Sequence, residues 1–326
     1  MHFTRSSLHS LILLAIAVTL FGRMLDKAPA SLADSVPGTS NNSQQSSSGH
    51  ELPKRGQWAT PELAHGESHS YRVFLNAGDY LHVILEQQGV NIEPTLYGPD
   101  GSILVTSVCA DYQPIPLSWI AKAAGEYRIE LRSLENGQSK GRYGLKVETI
   151  RPSIPTDEPR IVAEQLVTAG IKLLKQWRED SMKAALDKFT VSLVSWREAG
   201  DARGEADSLK RIGDVYRTLG QFEKAQSFYQ SALMINSGLG DRRAQNRDLN
   251  ALCSTSLLLG DNQKALQYAE RALKVSKIVR DQWGEAEALN NLGEVYNWLG
   301  QIQRALGLYN KAQPIWITAY SGDCEQ

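Results

Sequence analysis

Cysteine is scarce in this chain: there are three in 326 residues, Cys109, Cys253 and Cys324. They are far apart and form no CxxC pair, which excludes a disulfide framework legible from spacing and a structural zinc site. Neither sign of charge is in excess, with 35 Lys and Arg against 36 Asp and Glu. This argues against a nucleic-acid binder held by bulk electrostatics, though not against a local patch. Also lacking are a phosphate loop, a GxGxxG, an HExxH and a GxSxG in any context where they would work. No histidine follows His82, so Cys253 has no imidazole in the second half of the chain to activate it and reads as a small buried packing residue. His65, Glu67 and His69 alternate and would share one face of a strand. With no third ligand nearby they read as a polar, exposed first strand rather than half a metal site. Asp79, Asp100 and Asp111 sit in turns, where carboxylates need no calcium. The expectation is a non-enzyme with no catalytic residue, no cofactor and no metal.

One apolar run stands near the N-terminus, "LILLAIAVTLF" from Leu11 to Phe21, preceded by Arg5 and two histidines. It has the length of a signal-peptide core and is short for a membrane span. Ala28-Pro29-Ala30 and Ser31-Leu32-Ala33 both fit a small-x-small cleavage site. Residues 1–33 are read as a signal peptide, with no stable membrane span after cleavage and a secreted or periplasmic bacterial location for the rest. Arg23 and Lys27 just past the run leave an uncleaved anchor as the alternative. Residues 34–56 are rich in Ser, Asn and Gln and hold no aromatic residue; they read as a disordered linker.

From 57 to 150 the pattern is one of short strands. "SYRVFL", "DYLHVILEQ", "PTLYG", "SILVTSV", "GEYRIELRS" and "YGLKVETI" alternate apolar and polar residues between turn signals such as Gly98-Pro99-Asp100-Gly101. That spacing predicts an antiparallel β-sandwich. The stretches "HSYRVFLNAGDYLHVIL", "LYGPDGSIL", "AGEYRIELRS" and "GRYGLKV" resemble the bacterial prepeptidase C-terminal (PPC) type of domain, a jelly-roll-like sandwich of secreted proteins. The resemblance implies adhesion, calcium binding or chaperoning, and no ligand residue of that family can be matched here. Residues 151–159, with three prolines, form a second linker.

From Arg160 onward the period is helical and the chain repeats itself every 40 residues: Gly213, Cys253 and Gly293; Gly220, Gly260 and Gly300; Ala225, Ala265 and Ala305; Ala232, Ala272 and Ala312. Units 160–199, 200–239, 240–279 and 280–319 follow, within an array reaching 320 and a tail of 321–326. Each reads as two antiparallel helices, with small residues where backbones approach and Tyr216 and Tyr229 filling the gaps. The pattern Leu289, Leu292-Gly293, Tyr296, Ala305, Tyr309 and Ala312 resembles the tetratricopeptide repeat (TPR), with a longer unit, Leu in place of the usual Trp and no terminal Pro. The predicted fold is therefore multidomain, a β-sandwich followed by an all-α solenoid of four helix pairs.

Stacked helix pairs curve, and the first helix of each pair lines the inside. The inward positions are Asp207, Lys210, Asp214 and Arg217; Arg247, Asn250 and Ser254; and Glu287, Asn290, Glu294 and Asn297, with Trp298 beside them. Amides and both charges suit a peptide or protein partner in this groove: Asn250 and Asn290 for its backbone, Arg217 and Arg247 for carboxylates. Ordinary solvated helix faces are the alternative for each residue taken singly. After Ala312 comes "QPIWITAYSGDCEQ", in which Pro314 should kink or shorten the last helix. Ile315, Trp316 and Tyr320 then make an apolar end, which suggests a homo-oligomer, a partner or a further C-terminal domain. Secreted sandwich-plus-repeat chains of this look often carry a caspase-like (CHAT) protease domain after the repeats. That resemblance implies a regulatory half without its catalytic part, and a surface adhesin is the third reading.

Overall fold

The computed structural model describes residues 48–108, 114–134 and 140–325. The signal-peptide reading, residues 34–47 of the linker, Cys109 and Asp111 lie outside them, as do the side chains of Tyr320 and Cys324.

Ten strands and then eight helices follow one another among the described residues. The strands are β1 (Ser48–Glu51), β2 (Trp58–Ala59), β3 (Glu62–Ala64), β4 (Ser68–Leu75), β5 (Asp79–Gln88), β6 (Ile92–Tyr97), β7 (Ile103–Thr106), β8 (Ile115–Ile120), β9 (Gly125–Ser133) and β10 (Lys140–Pro152). One sheet runs β1-β4-β9-β6-β7 and the other β2-β10-β5-β8, with β3 also on β10. Alternation decides what they bury. Tyr71, Val73 and Leu75 of β4, Leu81, Val83 and Leu85 of β5, and Tyr127, Ile129 and Leu131 of β9 share one core between the sheets.

Three expectations change here. The linker gives its last residues to the fold, because β1 pairs in parallel with β4 and the His50 ring lies 4.3 Å from that of His69. His65, Glu67 and His69 are not on one strand: Glu67 N donates to Ala64 O in a turn at Gly66, and His69 faces inward, its Nδ1 2.7 Å from the Tyr143 hydroxyl. The second linker shrinks to 153–156, since β10 runs on to Pro152 and helix begins at Asp157. Pro159 falls in that helix's first turn, where a missing N–H costs nothing. Asp79 and Asp100 serve their own turns, accepting from Asn76 N at 2.8 Å and Ser102 N at 3.0 Å.

The helices are α1 (Asp157–Leu174), α2 (Glu179–Glu198), α3 (Ala202–Thr218), α4 (Phe222–Gly238), α5 (Arg242–Leu258), α6 (Asn262–Val279), α7 (Gln282–Trp298) and α8 (Ile302–Glu325). They form four antiparallel pairs in a solenoid. Within a pair, glycine marks the closest approach. A Cβ on Gly213 would lie 2.6 Å from Tyr229 Cε1, and one on Gly293 would lie 2.5 Å from Tyr309 Cε1. Between pairs, Asp201, Asp241 and Asp281 each cap the next helix by accepting from the backbone N–H three residues on, at 3.0 Å. The residue before each cap takes a left-handed backbone: Gly200, Gly240 and, in the fourth unit, Arg280 at φ 54°. The last helix is not shortened at Pro314 but runs through it to Glu325, so residues 321–325 are helix rather than tail. Trp316 is not left uncovered, since its ring packs edge-on against Trp283 with centroids 4.3 Å apart. None of the described helices is long and apolar enough to cross a membrane.

Two substitutions test this account of the repeat. Gly213→Ala forces a methyl against the buried Tyr229 ring and should destabilise the fold by about 1–3 kcal/mol. Arg280→Gly relieves a left-handed backbone and should stabilise by about 1 kcal/mol. Urea unfolding, read as a shift of midpoint at constant slope, checks both.

Candidate partner-binding cleft

The hollow of the array does not stand open along its length. The outer face of the β2-β10-β5-β8 sheet lies across its first part. Alternation on β5 points Leu81, Val83 and Leu85 into the sandwich, and so turns Tyr80, His82, Ile84 and Glu86 toward the helices. Trp58 and, from β10, Lys146 and Glu148 extend this wall. Opposite stand Arg160 and Glu164 of α1, Asp207, Lys210 and Arg211 of α3, and Arg247 and Asp248 of α5. Between the walls is a cleft of about 900 Å³. At one side α1 packs on β8, and at the other α8 reaches β10.

The junction with α1 holds a buried polar cluster. Ser118 Oγ of β8 donates to Glu164 Oε1 at 2.8 Å and accepts from the Tyr80 hydroxyl at 3.2 Å. His82 Nδ1 lies 2.7 Å from the same oxygen. Burial pushes the Glu164 carboxyl up to about 8, against the opposing pull of its Ser118 hydrogen bond and of Arg160. Burial, aided by Arg160, pushes His82 down to about 4. His82 Nδ1 and Glu164 Oε1 are 4.0 Å apart, but with these shifts the two are a neutral pair near pH 7 and not a salt bridge. Arg151 adds a two-pronged bond to Asp157, at 2.7 and 2.8 Å, across the short connection between sheet and array.

Of the eleven inward positions the sequence places in the groove, Asp207, Lys210 and Arg247 line this cleft. Asp207 accepts from Arg211 Nε at 2.6 Å, and Lys210 donates to Asp214 at 2.8 Å. Asp214 also accepts from the Tyr229 hydroxyl at 2.7 Å. Burial raises its carboxyl, but the Lys210 charge and these hydrogen bonds outweigh burial and hold it below the usual carboxylate range. Arg217 and Asn297 are exposed, and Asn290 Nδ2 donates to Glu294 at 3.2 Å. Burial raises the carboxyls of Glu287 and Glu294. Asn250 corrects the sequence reading. It is 1 % exposed, donates to Glu287 at 3.1 Å and accepts from Asn291 at 3.1 Å, so its amide ties the third unit to the fourth and is not offered to a partner. Asp248, unremarked in the sequence, is 1 % exposed and accepts from Asn236 at 2.7 Å; burial pushes its carboxyl up to about 7. Cys253 is buried, which pushes its thiol up to about 12 and makes it a poor nucleophile. Among the described residues no group of three or more His, Cys, Asp and Glu side chains is arranged to hold a metal.

With this geometry in view, the comparisons with known proteins concern the array. Residues 206–238 and 248–318 match models of the tetratricopeptide repeat, so the chain carries TPR units. Among solved structures, BtubC (BKLC) from P. vanneervenii aligns at 20% identity and TM-score 0.45, over 51% of this chain and 67% of that one. A Rap protein complexed with competence and sporulation factor aligns at 19% and 0.44, over 49% of this chain and 44% of that one. A kinesin light chain with TPR-like repeats from Podosopora anserina aligns at 14% and 0.40, over 50% and 84%. A search of curated proteins gives no match.

Two substitutions separate packing roles from the cleft surface. Asn250→Ala strands the groups of Glu287 and Asn291 and should destabilise by about 1–3 kcal/mol. Asp248 has a raised folded-state pKa, so its contribution to stability is full at acid pH and is lost as pH rises through about 7. Asp248→Asn should therefore gain on the order of 1–3 kcal/mol over the parent chain at pH 8 and nothing at pH 4. Urea unfolding of both chains at the two pH values measures this difference.

Proposed function

We propose that this chain is an extracytoplasmic interaction scaffold that holds a segment of a partner protein against the concave side of its TPR array. The observation that carries the reading is the two-walled cleft. Its volume of about 900 Å³ suits a short peptide segment better than a long one threaded through all four units. Its lining favours a polar partner with apolar anchors. Trp58 and Ile84 offer apolar surface on the sheet side, while Asp207, Lys210 and Arg247 offer both charges on the helix side. Arg247, the inward arginine that lines the cleft, is the side chain for a partner's carboxylate. The secreted or periplasmic location rests on the N-terminal sequence. The helical fold and the buried state of Cys253 favour binding over chemistry.

The test is selection of displayed random peptides on the whole chain, followed by affinity measurement. Arg247→Ala and Trp58→Ala should each weaken the selected peptides by tenfold or more, and Met234→Ala, on the outer surface of α4, should leave them unchanged. Selection that yields no peptide, or peptides indifferent to both cleft variants, would overturn the assignment.

A further inference from the structure

We propose that the buried junction of Glu164, Ser118, His82 and Tyr80 is a proton-linked latch, which holds the sheet against the array and releases it as the solution turns alkaline. The inference goes beyond the partner-binding reading and does not depend on what the cleft binds.

The geometry argues for it in three steps. First, the cluster straddles the two modules: His82, Tyr80 and Ser118 belong to the sheet, and Glu164 belongs to the first helix of the array. Second, a single hydroxyl is the common partner. Ser118 Oγ has one hydrogen and two lone pairs, shared among Glu164 at 2.8 Å, Tyr80 at 3.2 Å and His82 Nδ1 at 2.7 Å. The tautomer of a neutral His82 follows from whether Ser118 gives its hydrogen to Glu164 or to His82 Nδ1. Third, Glu164 is 7 % exposed in the closed arrangement, and separating α1 from β8 would return its carboxyl to water. The other charged and titratable groups around the cluster are Glu148 and Arg151 from the sheet, Asp157 and Arg160 from α1, and Asp201 from the corner before α3. Arg151 is paired with Asp157, and Arg160 with Asp201, so these charges are largely balanced among themselves.

The signs can be worked out for each group. Glu164 moves from an ordinary 4.5 when open to about 8 when closed. Its contribution to closure is full below 4.5 and is lost as pH rises through about 8. His82 moves from 6.5 to about 4, so its contribution is full above 6.5 and is lost as pH falls through about 4. Between 4.5 and 6.5 closing takes up one proton on Glu164 and releases one from His82. The net uptake is zero and closure is flat. Above 6.5 only the Glu164 proton remains linked, and closure weakens by about tenfold per pH unit until about pH 8.

The experiment is hydrogen exchange on the full chain from pH 4.5 to 9, corrected for the intrinsic pH dependence of exchange, with small-angle scattering on the same samples. Protection of β8 and α1 should be constant to pH 6.5 and then fall about tenfold per unit to pH 8, with a parallel rise in radius of gyration. Protection in the cores around Ile129 and Leu252 should hold. Glu164→Gln should abolish the alkaline fall and keep a loss below pH 6.5. His82→Asn, which keeps a polar amide near the Nδ1 position, should do the reverse, with the fall beginning near pH 4.5. The proposal is overturned if Glu164→Gln keeps the alkaline fall. It is equally overturned if β8 and α1 lose protection only together with the two cores.

Discussion

The position of α1 on the sheet determines what the rest of the molecule can do. Had the connection at 153–156 been a free tether, the solenoid would present a bare hollow and the sandwich would be a passenger. Instead the Arg151–Asp157 pair spans that connection at 2.7 and 2.8 Å, and Glu164 is buried against Ser118 at 2.8 Å. In that pair Asp157 is buried and Arg151 half-exposed, so the charge attraction is set against the cost of taking the carboxylate out of water. A charged carboxylate buried at such a joint would oppose closure, which is why the proton on Glu164 matters more than the ion pair beside it. With α1 fixed, each later helix pair is placed by its repeat contact with the one before. The curvature of four units then brings α8 back to β10.

That propagation depends on interchangeable joints. The aspartates at 201, 241 and 281 are the same cap used three times, and the left-handed residue ahead of each sets the same turn. Inside each pair a ring lies where a glycine has no Cβ: Tyr229 over Gly213 and Tyr309 over Gly293. The third unit departs from this with Cys253, opposite Ala269, both fully buried. A small side chain on each helix keeps the spacing there without an aromatic ring. The same unit is tied to its neighbours by buried polar bonds, Asn236 to Asp248 on one side and Asn291 to Asn250 to Glu287 on the other. Polar bonds in place of rings fix register rather than add burial.

Much of this was legible in the residues. The alternation of β4, β5 and β9 and the 40-residue step of the helices are direct images of core faces, since burial imposes the same period on sequence and structure. The aspartate caps recur at that same step and are legible by the same reasoning as the small and aromatic positions. Strand β1 was not legible, because Ser48-Gly49-His50-Glu51 carries no apolar period and is recruited by the open edge of β4. The roof over the hollow was not legible either. Tyr80, His82, Ile84 and Glu86 read as the watered side of a half-buried strand, and nothing local tells whether water or another module covers that side. The burial of Asn250 was not legible for the same reason: an amide on an inward helix face looks identical whether it meets a partner or the next unit.

The cleft consequently differs in kind from an open TPR groove. An open groove accepts a segment as long as the solenoid and discriminates along its whole length, whereas a roofed one admits a segment only as far as the roof allows. The inward stripe is thereby divided. Asp207, Lys210 and Arg247 face the sheet across the cleft, while Arg217 and Asn297 are exposed elsewhere on the array. Specificity in such a site comes from two surfaces that must fit at once, and one of them is a rigid sheet whose outer residues are spaced by two along each strand. The fit is then set at the junction that fixes the distance between the walls. Glu164 belongs to that junction and to the helix-side wall alike, so the group that ties α1 to the sheet also borders the cleft.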